Sequence, residues 1–174
     1  FYKPVGVTCT ERDPHAEKKI MDMIRYPERL TYAGRLDKDS EGLILLTNDG
    51  DLINVMMRGA NRHEKEYIVK TDREITPDFL EKMAKGIYLK DLDITTRECE
   101  IEQIGKFTFR IVLTQGVNRQ IRRMCEACGY RVKALKRIRI MNILLGDLKP
   151  GKWREVTGEE LEQLQRDTGM LNRN

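Results

Sequence analysis

The sequence predicts an α+β fold of mixed α/β character, in which a largely antiparallel mixed sheet is flanked by helices. Two segments that alternate between apolar and polar residues meet at Gly105-Lys106, as the strands of an antiparallel hairpin do. Segments with helical spacing, capping residues and terminal glycines lie between the strands. The 174 residues are enough for one domain with a sizeable core.

The first third of the chain is predicted to contain short strands, two helices and a polar loop. Residues 1–7 read as an interrupted strand, and Asp13-Pro14 can begin a helix because proline suits the first helical turn. The polar segment 34–42 leads into the apolar run 43–46, which we predict to be a buried strand. A helix over about residues 51–58 follows and ends at a glycine.

The middle third is predicted to be a strand, a helix and a hairpin. Residues 66–71 alternate like a strand, and Thr76-Pro77 opens a helix that stops at Gly86. The hairpin consists of strands at 94–104 and 106–114. The second of these strands carries apolar side chains on one face: Phe107, Phe109, Ile111 and Leu113.

The last third is predicted to be a helix, a long strand and a final helix. Asn118 can cap the first helix, whose buried face has the spacing i, i+3, i+4, i+7 and consists of Ile121, Met124, Cys125 and Cys128. A strand over about residues 130–143 follows. The capping-box pattern Thr157-Gly158-Glu159-Glu160 begins the final helix.

The cysteines and the hydropathy exclude several classes of protein. The helical spacing explains the Cys125–Cys128 pair as core residues, and since there is no second cysteine pair and the two histidines are distant, we predict no metal site. No apolar run approaches the roughly 18 residues that cross a bilayer, and the chain has no signal-peptide pattern. We therefore expect a soluble, cytoplasmic protein with free thiols.

The basic residues are concentrated in one segment. Residues 119–139 contain eight lysines and arginines against Glu126 alone, so this segment carries +7 while the whole chain carries only +4. Such a concentration favours an anionic partner, of which nucleic acid is the commonest large one. Ordinary solvated surface charge is the alternative that composition leaves open.

The loop at residues 34–42 holds three carboxylates and two cations between glycines that permit unusual backbone angles. Its chemistry suits a ligand-binding loop or a solvated turn. Four segments, in order and spacing, resemble the motifs of bacterial pseudouridine synthases of the RsuA/RluB/RluE/RluF family. They are Lys3-Pro4-Val5-Gly6, Gly34-Arg35-Leu36-Asp37 with its continuation to Thr47, Lys65-Glu66-Tyr67, and Gly116-Val117-Asn118-Arg119-Gln120-Ile121-Arg122-Arg123-Met124.

The resemblance implies the pseudouridine synthase fold, with two halves and a catalytic cleft between them, and an isomerase that needs no cofactor. Residues 63–67 and 137–142 look most like the RluF branch, which acts on a uridine in large-subunit (23S) ribosomal RNA. Residues 1–174 would then be the catalytic domain, and the small amino-terminal RNA-binding domain usual in this branch is absent from this chain. We expect a monomer that binds a structured stem-loop, and modification of a transfer RNA stays open.

The resemblance makes Asp37 the catalytic carboxylate, acting as nucleophile or in deprotonation of the sugar. A carboxylate must stay ionised in a dry pocket, and burial opposes this, so a permanent cation is needed nearby. Arg122 matches the family arginine that pairs with it. Helical spacing sets Arg119, Arg122 and Arg123 on the side of their helix away from the apolar face. A solvent-facing arginine row is the alternative from spacing alone.

Further roles are carried over from the family to matching positions. Tyr67 is expected to stack on the uracil and to help move the proton from its carbon. Leu135 is expected to line the catalytic pocket, although a bulge that turns it into the core is a rival interpretation. Arg35 is expected to contact RNA near the extruded base. Period-two alternation places Arg137 and Arg139 on one basic face, and we expect phosphate contacts from Arg119, Arg123, Arg137 and Arg139.

Two other functions compete with the isomerase. A non-catalytic RNA-binding module would keep the basic surface and would not need Asp37. An N-glycosidase would use the same carboxylate but would release free base and leave an abasic site. The intact set of Asp37, Tyr67 and Arg122 favours the isomerase over the binding module.

Overall fold

A mixed sheet forms the centre of the molecule in the computed structural model, which describes residues 1–9 and 19–172. Its strands, together with those of two small two-stranded sheets, are β1 (Tyr2–Lys3), β2 (Thr31–Tyr32), β3 (Glu41–Leu43), β4 (Leu46–Thr47), β5 (Lys65–Thr71), β6 (Tyr88–Leu89), β7 (Ile94–Thr95), β8 (Glu100–Gly105), β9 (Thr108–Leu113), β10 (Val132–Ile140) and β11 (Ile143–Leu144). The helices are α1 (Ile20–Met23), α2 (Gly50–Met57), α3 (Pro77–Lys85), α4 (Gln120–Ala127) and α5 (Gly158–Asp167), with a 3₁₀ turn at Gly59–Asn61.

The strand order in the main sheet is β1-β3-β10-β5-β9-β8, and β11 also pairs with β10. The pairing of β10 with β3 is parallel, whereas the other pairings within this sheet are antiparallel. The small sheets are β2 with β4 and β6 with β7. The predicted α+β class with a largely antiparallel mixed sheet is therefore confirmed.

Local signals placed several elements correctly. Helix α3 begins where Thr76-Pro77 predicted, because the Thr76 hydroxyl accepts a hydrogen bond from the Phe79 nitrogen at 3.1 Å. The hairpin of β8 and β9 also forms as predicted. Phe107, however, precedes β9 and is 38% exposed, so it does not join the buried face of that strand.

Other predicted boundaries were wrong. The apolar run 43–46 belongs to two strands, since β3 ends at Leu43 and β4 begins at Leu46. The predicted strand 130–143 turns at Met141, whose φ is 53°, and returns as β11. Helix α5 does begin after Thr157 as predicted, but the Thr157 side chain makes no cap hydrogen bond to it. The predicted helix start at Asp13-Pro14 lies outside the described residues.

Buried apolar side chains among the described residues form three clusters. One cluster packs α3 and α4 against β5, β9 and β10 and includes Phe79, Phe109 and Met124. Another packs α2 and α5 near β11 and includes Met56 and Leu164. A third gathers residues of the amino-terminal segment, α1 and the end of β3.

The cysteine pair lies in the first of these clusters. Cys125 is fully buried there, and Cys128 packs against it, as the helical spacing predicted. Among the described residues, no three His, Cys, Asp or Glu side chains come together in a way that would hold a metal ion. None of the helices in residues 1–9 and 19–172 has the length and hydropathy needed to span a membrane.

Candidate active site

A cavity of about 400 Å³ lies between the loop that follows β2 and the strands β5 and β10. Its walls come from the 34–40 loop, from Lys65 and Tyr67 on β5, from residues 115–122 and from β10. This volume is within the roughly 300–1,000 Å³ typical of small-molecule sites. Asp37 and Tyr67 therefore line the same cavity, although 30 residues separate them in sequence.

A buried lysine supports this loop from beneath. Lys3 is fully buried, and its ammonium donates to the carbonyls of Pro4 and Val7 at 2.7 Å and of Lys38 at 3.3 Å. The backbone nitrogen of Gly6 also donates to the Lys38 carbonyl, at 2.8 Å. Burial lowers the pKa of Lys3 to about 8, while three carbonyl acceptors match its three donors. The first motif thus anchors the Asp37 loop.

Gly42 closes the loop with a backbone contact that other residues cannot make. It pairs with Arg137 across the parallel junction of β3 and β10, and its φ is +117°. A Cβ added there would lie 2.6 Å from the Arg137 nitrogen and closer still to the Arg137 carbonyl oxygen. The loop can therefore return to the sheet at this point only because the residue is glycine.

The cation beside Asp37 is Arg119, which corrects the predicted pairing with Arg122. The distance from Arg119 Nη1 to Asp37 Oδ2 is 3.3 Å, and Arg119 also makes two hydrogen bonds to the Asp39 carboxylate, at 2.9 and 3.1 Å. Arg122 donates instead to the Asp39 carbonyl at 3.2 Å and to the Ser40 hydroxyl at 3.1 Å. The hydrogen bond from Arg119 lowers the pKa of Asp39.

The start of α4 explains this exchange of arginines. The helix begins at Gln120, so Arg119 is its N-cap in the left-handed conformation with φ of 49°, and Asn118 is not the cap. Arg119 therefore lies outside the helix, whereas the prediction from i, i+3, i+4 spacing placed it on the same helical face as Arg122 and Arg123. Arg122 lies within the first turn, where it is only 13% exposed and packs beneath residues 39–40. Its nearest carboxylate oxygen is Asp39 Oδ2, at 3.5 Å.

The register of β5 and β10 places Tyr67 and Leu135 at the cavity. Tyr67 pairs with Arg137 and Val69 pairs with Leu135, so these four side chains lie on neighbouring positions of one sheet face. A bulge between Val132 and Ala134 shifts the alternation at the start of β10. Leu135 packs in the core and also lines the cavity. The predicted pocket position and the rival prediction of a core position are therefore each correct in part.

The predicted basic face of β10 does not exist. Arg137 is only 3% exposed and donates to the carbonyls of Leu43 at 2.8 Å and of Arg35 at 3.3 Å, so it cannot be a surface phosphate contact. Arg139 pairs with Glu66 at 3.0 Å and with Glu64 at 3.2 Å. The two bulges in β10 break the strict alternation on which the prediction rested.

The remaining predicted contacts divide between the cavity and the surface. Arg35 is exposed and lines the cavity, as a residue beside an extruded base would. The Arg123 guanidinium donates hydrogen bonds to the carbonyl and the side-chain oxygen of Asn118, at 2.9 and 3.1 Å. Arg123 is therefore placed away from Asp37, and the structure groups Asp37, Tyr67, Arg35, Arg119, Arg122, Leu135 and Arg137 around the cavity.

Sequence reasoning missed two features of this site. It did not assign a role to Lys3 or to Lys65, which lines the cavity next to Tyr67. Lysines at buried strand positions are rare unless their charge is used, and both residues lie in predicted strands or motifs. The two lysines are visible in the sequence, but their roles become clear only when it is known which face of each strand is buried.

Comparisons with known proteins show which family this chain resembles. The profile of the family described as RNA pseudouridylate synthase matches residues 1–127. The chain is 48% identical over 162 residues to the dual-specificity RNA pseudouridine synthase RluF of Escherichia coli strain K12, which covers 93% of this chain and 55% of that protein. It is 33% identical over 173 residues to the ribosomal large subunit pseudouridine synthase B of Vibrio cholerae, covering 94% and 53%.

A solved structure has the same fold. The crystal structure of a pseudouridylate synthase superposes with a TM-score of 0.88 at 30% identity and covers 94% of this chain and 71% of that chain. The chain spans about half the length of the curated relatives it matches.

Proposed function

Because the chain belongs to the RNA pseudouridylate synthase family, we propose that it isomerises a uridine in large-subunit ribosomal RNA to pseudouridine, with Asp37 as the catalytic carboxylate. The observation that supports this most directly is the shared cavity. It holds Asp37 beside the Arg119 guanidinium and has Tyr67 in its wall. No RNA-binding role on its own would require this carboxylate inside a pocket.

The chemistry matches these side chains. The enzyme must break the bond from ribose to the base nitrogen, turn the base and rejoin it through carbon. An ionised carboxylate can attack the sugar or assist its deprotonation, and the Arg119 guanidinium lies 3.3 Å from the Asp37 carboxylate. An everted uracil loses its stacking neighbours, and the Tyr67 ring can restore roughly 1–3 kcal/mol of that stacking energy. Leu135 and Ile121 help to exclude water from the cavity.

The remaining parts of the proposal concern the whole protein. We propose that residues 1–174 are its catalytic domain and that it acts as a cytoplasmic monomer on a stem-loop with a flipped uridine. Arg35 would occupy the space that the extruded nucleotide leaves. The relative in Escherichia coli is named a dual-specificity enzyme, so a transfer RNA is a second substrate to test.

The direct test is an isomerase assay with the full-length protein. Ribosomal RNA carrying tritium at uracil C5 should release tritium into water and should yield pseudouridine, an isomer of unchanged mass. A binding module would hold the RNA without releasing tritium. An N-glycosidase would release free uracil and leave an abasic site, so the nucleoside products distinguish all three functions.

A first mutational prediction concerns Arg119. Replacing Arg119 by glutamine is expected to lower the single-turnover rate roughly 100-fold, because it removes the charge nearest to Asp37. Rapid-quench measurements with saturating enzyme give this rate separately from RNA affinity. The control is Arg166→Gln on α5, where the side chain is 53% exposed and pairs with Glu162, and its rate should match the wild type. A rate for Arg119→Gln within threefold of the wild type would contradict the assigned pairing.

A further inference from the structure

The charges lining the cavity do not balance. Asp37 is the one carboxylate among its described lining residues, whereas five lining residues are cations: Arg35, Lys65, Arg119, Arg122 and Arg137. Two of these cations, Arg119 and Arg122, contact the carboxylates of Asp37 and Asp39. Arg35 lies at the exposed edge. Within the described part of the chain, no carboxylate pairs with the two cations left inside, Lys65 and Arg137.

These two cations lie on either side of Tyr67. Lys65 and Tyr67 are two residues apart on β5, so they share a face of the sheet. Arg137 is the cross-strand partner of Tyr67 on β10. Both cations therefore border the space where, in the proposed function, the base stacks on the tyrosine ring.

One nitrogen of the Arg137 guanidinium has no partner among the described residues. Its Nε and Nη1 are fixed by the carbonyls of Leu43 and Arg35, which holds the guanidinium rigidly. Its Nη2 is buried and has no hydrogen-bond partner among the described residues. A buried donor of a charged group without a partner costs free energy, so the positive charge of Arg137 is poorly compensated by the described residues.

Lys65 adds a second positive charge to the same wall. Burial lowers its pKa, and the nearby positive charge of Arg137 lowers it further. Two cations in mutual repulsion within a pocket are destabilising unless an anion lies between or beside them. Asp37 already forms an ion pair with Arg119. The positive charges of Lys65 and Arg137 can therefore stabilise a second anion in the cavity.

The proposed reaction generates such a charge. When the bond between C1′ of the ribose and N1 of uracil breaks, its electron pair stays with the base, and the uracil anion spreads that charge over N1, O2 and O4. If Asp37 acts as the nucleophile, its carboxylate oxygen bonds to C1′ as the uracil leaves, and that bond breaks when C5 attacks C1′. If Asp37 acts as the base, it takes the C2′ proton as the uracil leaves and returns it to C2′ when C5 bonds to C1′. After the base turns, an electron pair of the anion forms the new bond from C5 to C1′. The C5 proton then leaves, and N1 takes up a proton.

We propose that Lys65 and Arg137 stabilise this detached uracil anion, with Lys65 Nζ donating a hydrogen bond to one of its carbonyl oxygens and the Arg137 guanidinium contributing its positive charge from the cavity wall. This inference rests on the proposed function and adds to it the groups that stabilise the leaving base. Donors preorganised where charge develops lower the barrier to bond cleavage without strengthening ground-state binding to the same extent. An RNA phosphate is the other anion that could accept a hydrogen bond from Lys65, and the experiment separates the two.

Lys65→Gln is the test variant, because Arg137 also holds the loop backbone. The single-turnover rate with ribosomal RNA should fall roughly 100-fold, while the RNA dissociation constant stays within threefold of the wild-type value. Lys65→Arg keeps the charge and should recover most of the rate. The matched control is Lys70→Gln, on the same strand but exposed and on the opposite face, which should leave the rate unchanged.

A substrate with 5-fluorouridine at the target distinguishes leaving-group stabilisation from a structural role. Fluorine makes the base anion more stable, so the loss caused by Lys65→Gln should shrink to roughly 10-fold for consumption of this nucleotide. Equal losses on both substrates, or a weakened dissociation constant with the rate retained, as a phosphate contact predicts, would overturn the proposal. If Lys65→Gln does not fold, the same rates on the two substrates are compared for Lys65→Met, which also removes the charge. Wild-type protein without isomerase activity would instead refute the proposed function.

Discussion

Replacing Asp37 by asparagine is expected to abolish pseudouridine formation, with a loss of roughly 10⁴-fold or more in the single-turnover rate. Asparagine keeps the size of the side chain but cannot carry the negative charge that either attacks or deprotonates the sugar. Asp37 is 35% exposed at the cavity mouth, so the fold does not depend on its burial. Tritium release from labelled ribosomal RNA measures the effect.

Binding measurements and a matched variant complete this experiment. The RNA dissociation constant of Asp37→Asn should stay within a few-fold of the wild-type value, since we expect phosphate contacts from the surrounding basic residues and not from Asp37. Asp78→Asn changes the same functional group at a site on α3 that is 73% exposed, and it should keep full activity. A rate for Asp37→Asn within tenfold of the wild type would remove Asp37 from the mechanism.

The second large effect is expected from Gly42→Ala. The new methyl group would overlap the Arg137 backbone, and alanine does not readily adopt a φ of +117°. Strain of this kind and overpacking each cost roughly 1–3 kcal/mol, so we expect a loss of about 2–6 kcal/mol in the free energy of unfolding. Denaturant titration followed by circular dichroism measures this loss, and the thermal midpoint should fall by roughly 10 °C.

Gly50→Ala is the control for this substitution. Gly50 is the first residue of α2, and a Cβ at that position meets no atom within 4 Å. Alanine there should be neutral or stabilise the protein by roughly 0.5 kcal/mol, because it restricts the unfolded chain. If both variants unfolded at the same denaturant concentration, the close junction of β3 and β10 would not be the reason that glycine is needed at position 42.

Local signals predicted the elements whose stability depends on nearby residues. Thr76-Pro77 and Gly86 defined α3, and the alternation around Gly105 defined the hairpin of β8 and β9. The buried spacing in α4 also explained Cys125 as a core residue. These features depend on contacts between residues a few positions apart, which a single sequence displays directly.

The prediction was least accurate where one strand meets three others. Strand β10 was expected to alternate regularly and to present Arg137 and Arg139 to RNA phosphates. Its bulges and its parallel contact with β3 bury Arg137 and leave Arg139 beside Glu64 and Glu66. Bulges arise from the fit between neighbouring strands, so the sequence of one strand does not reveal them.

The sequence alone determined the family, the α+β class and the identity of the Asp37 loop, because these depend on which residues occur in which order. Only the tertiary structure decided that Arg119 is the cation beside Asp37, and that Lys65 and Arg137 lie on either side of Tyr67. The physical reason is distance. Ion pairs and hydrogen bonds require atoms within a few ångströms, and these residues meet only after strands that are far apart in sequence pair in a particular register.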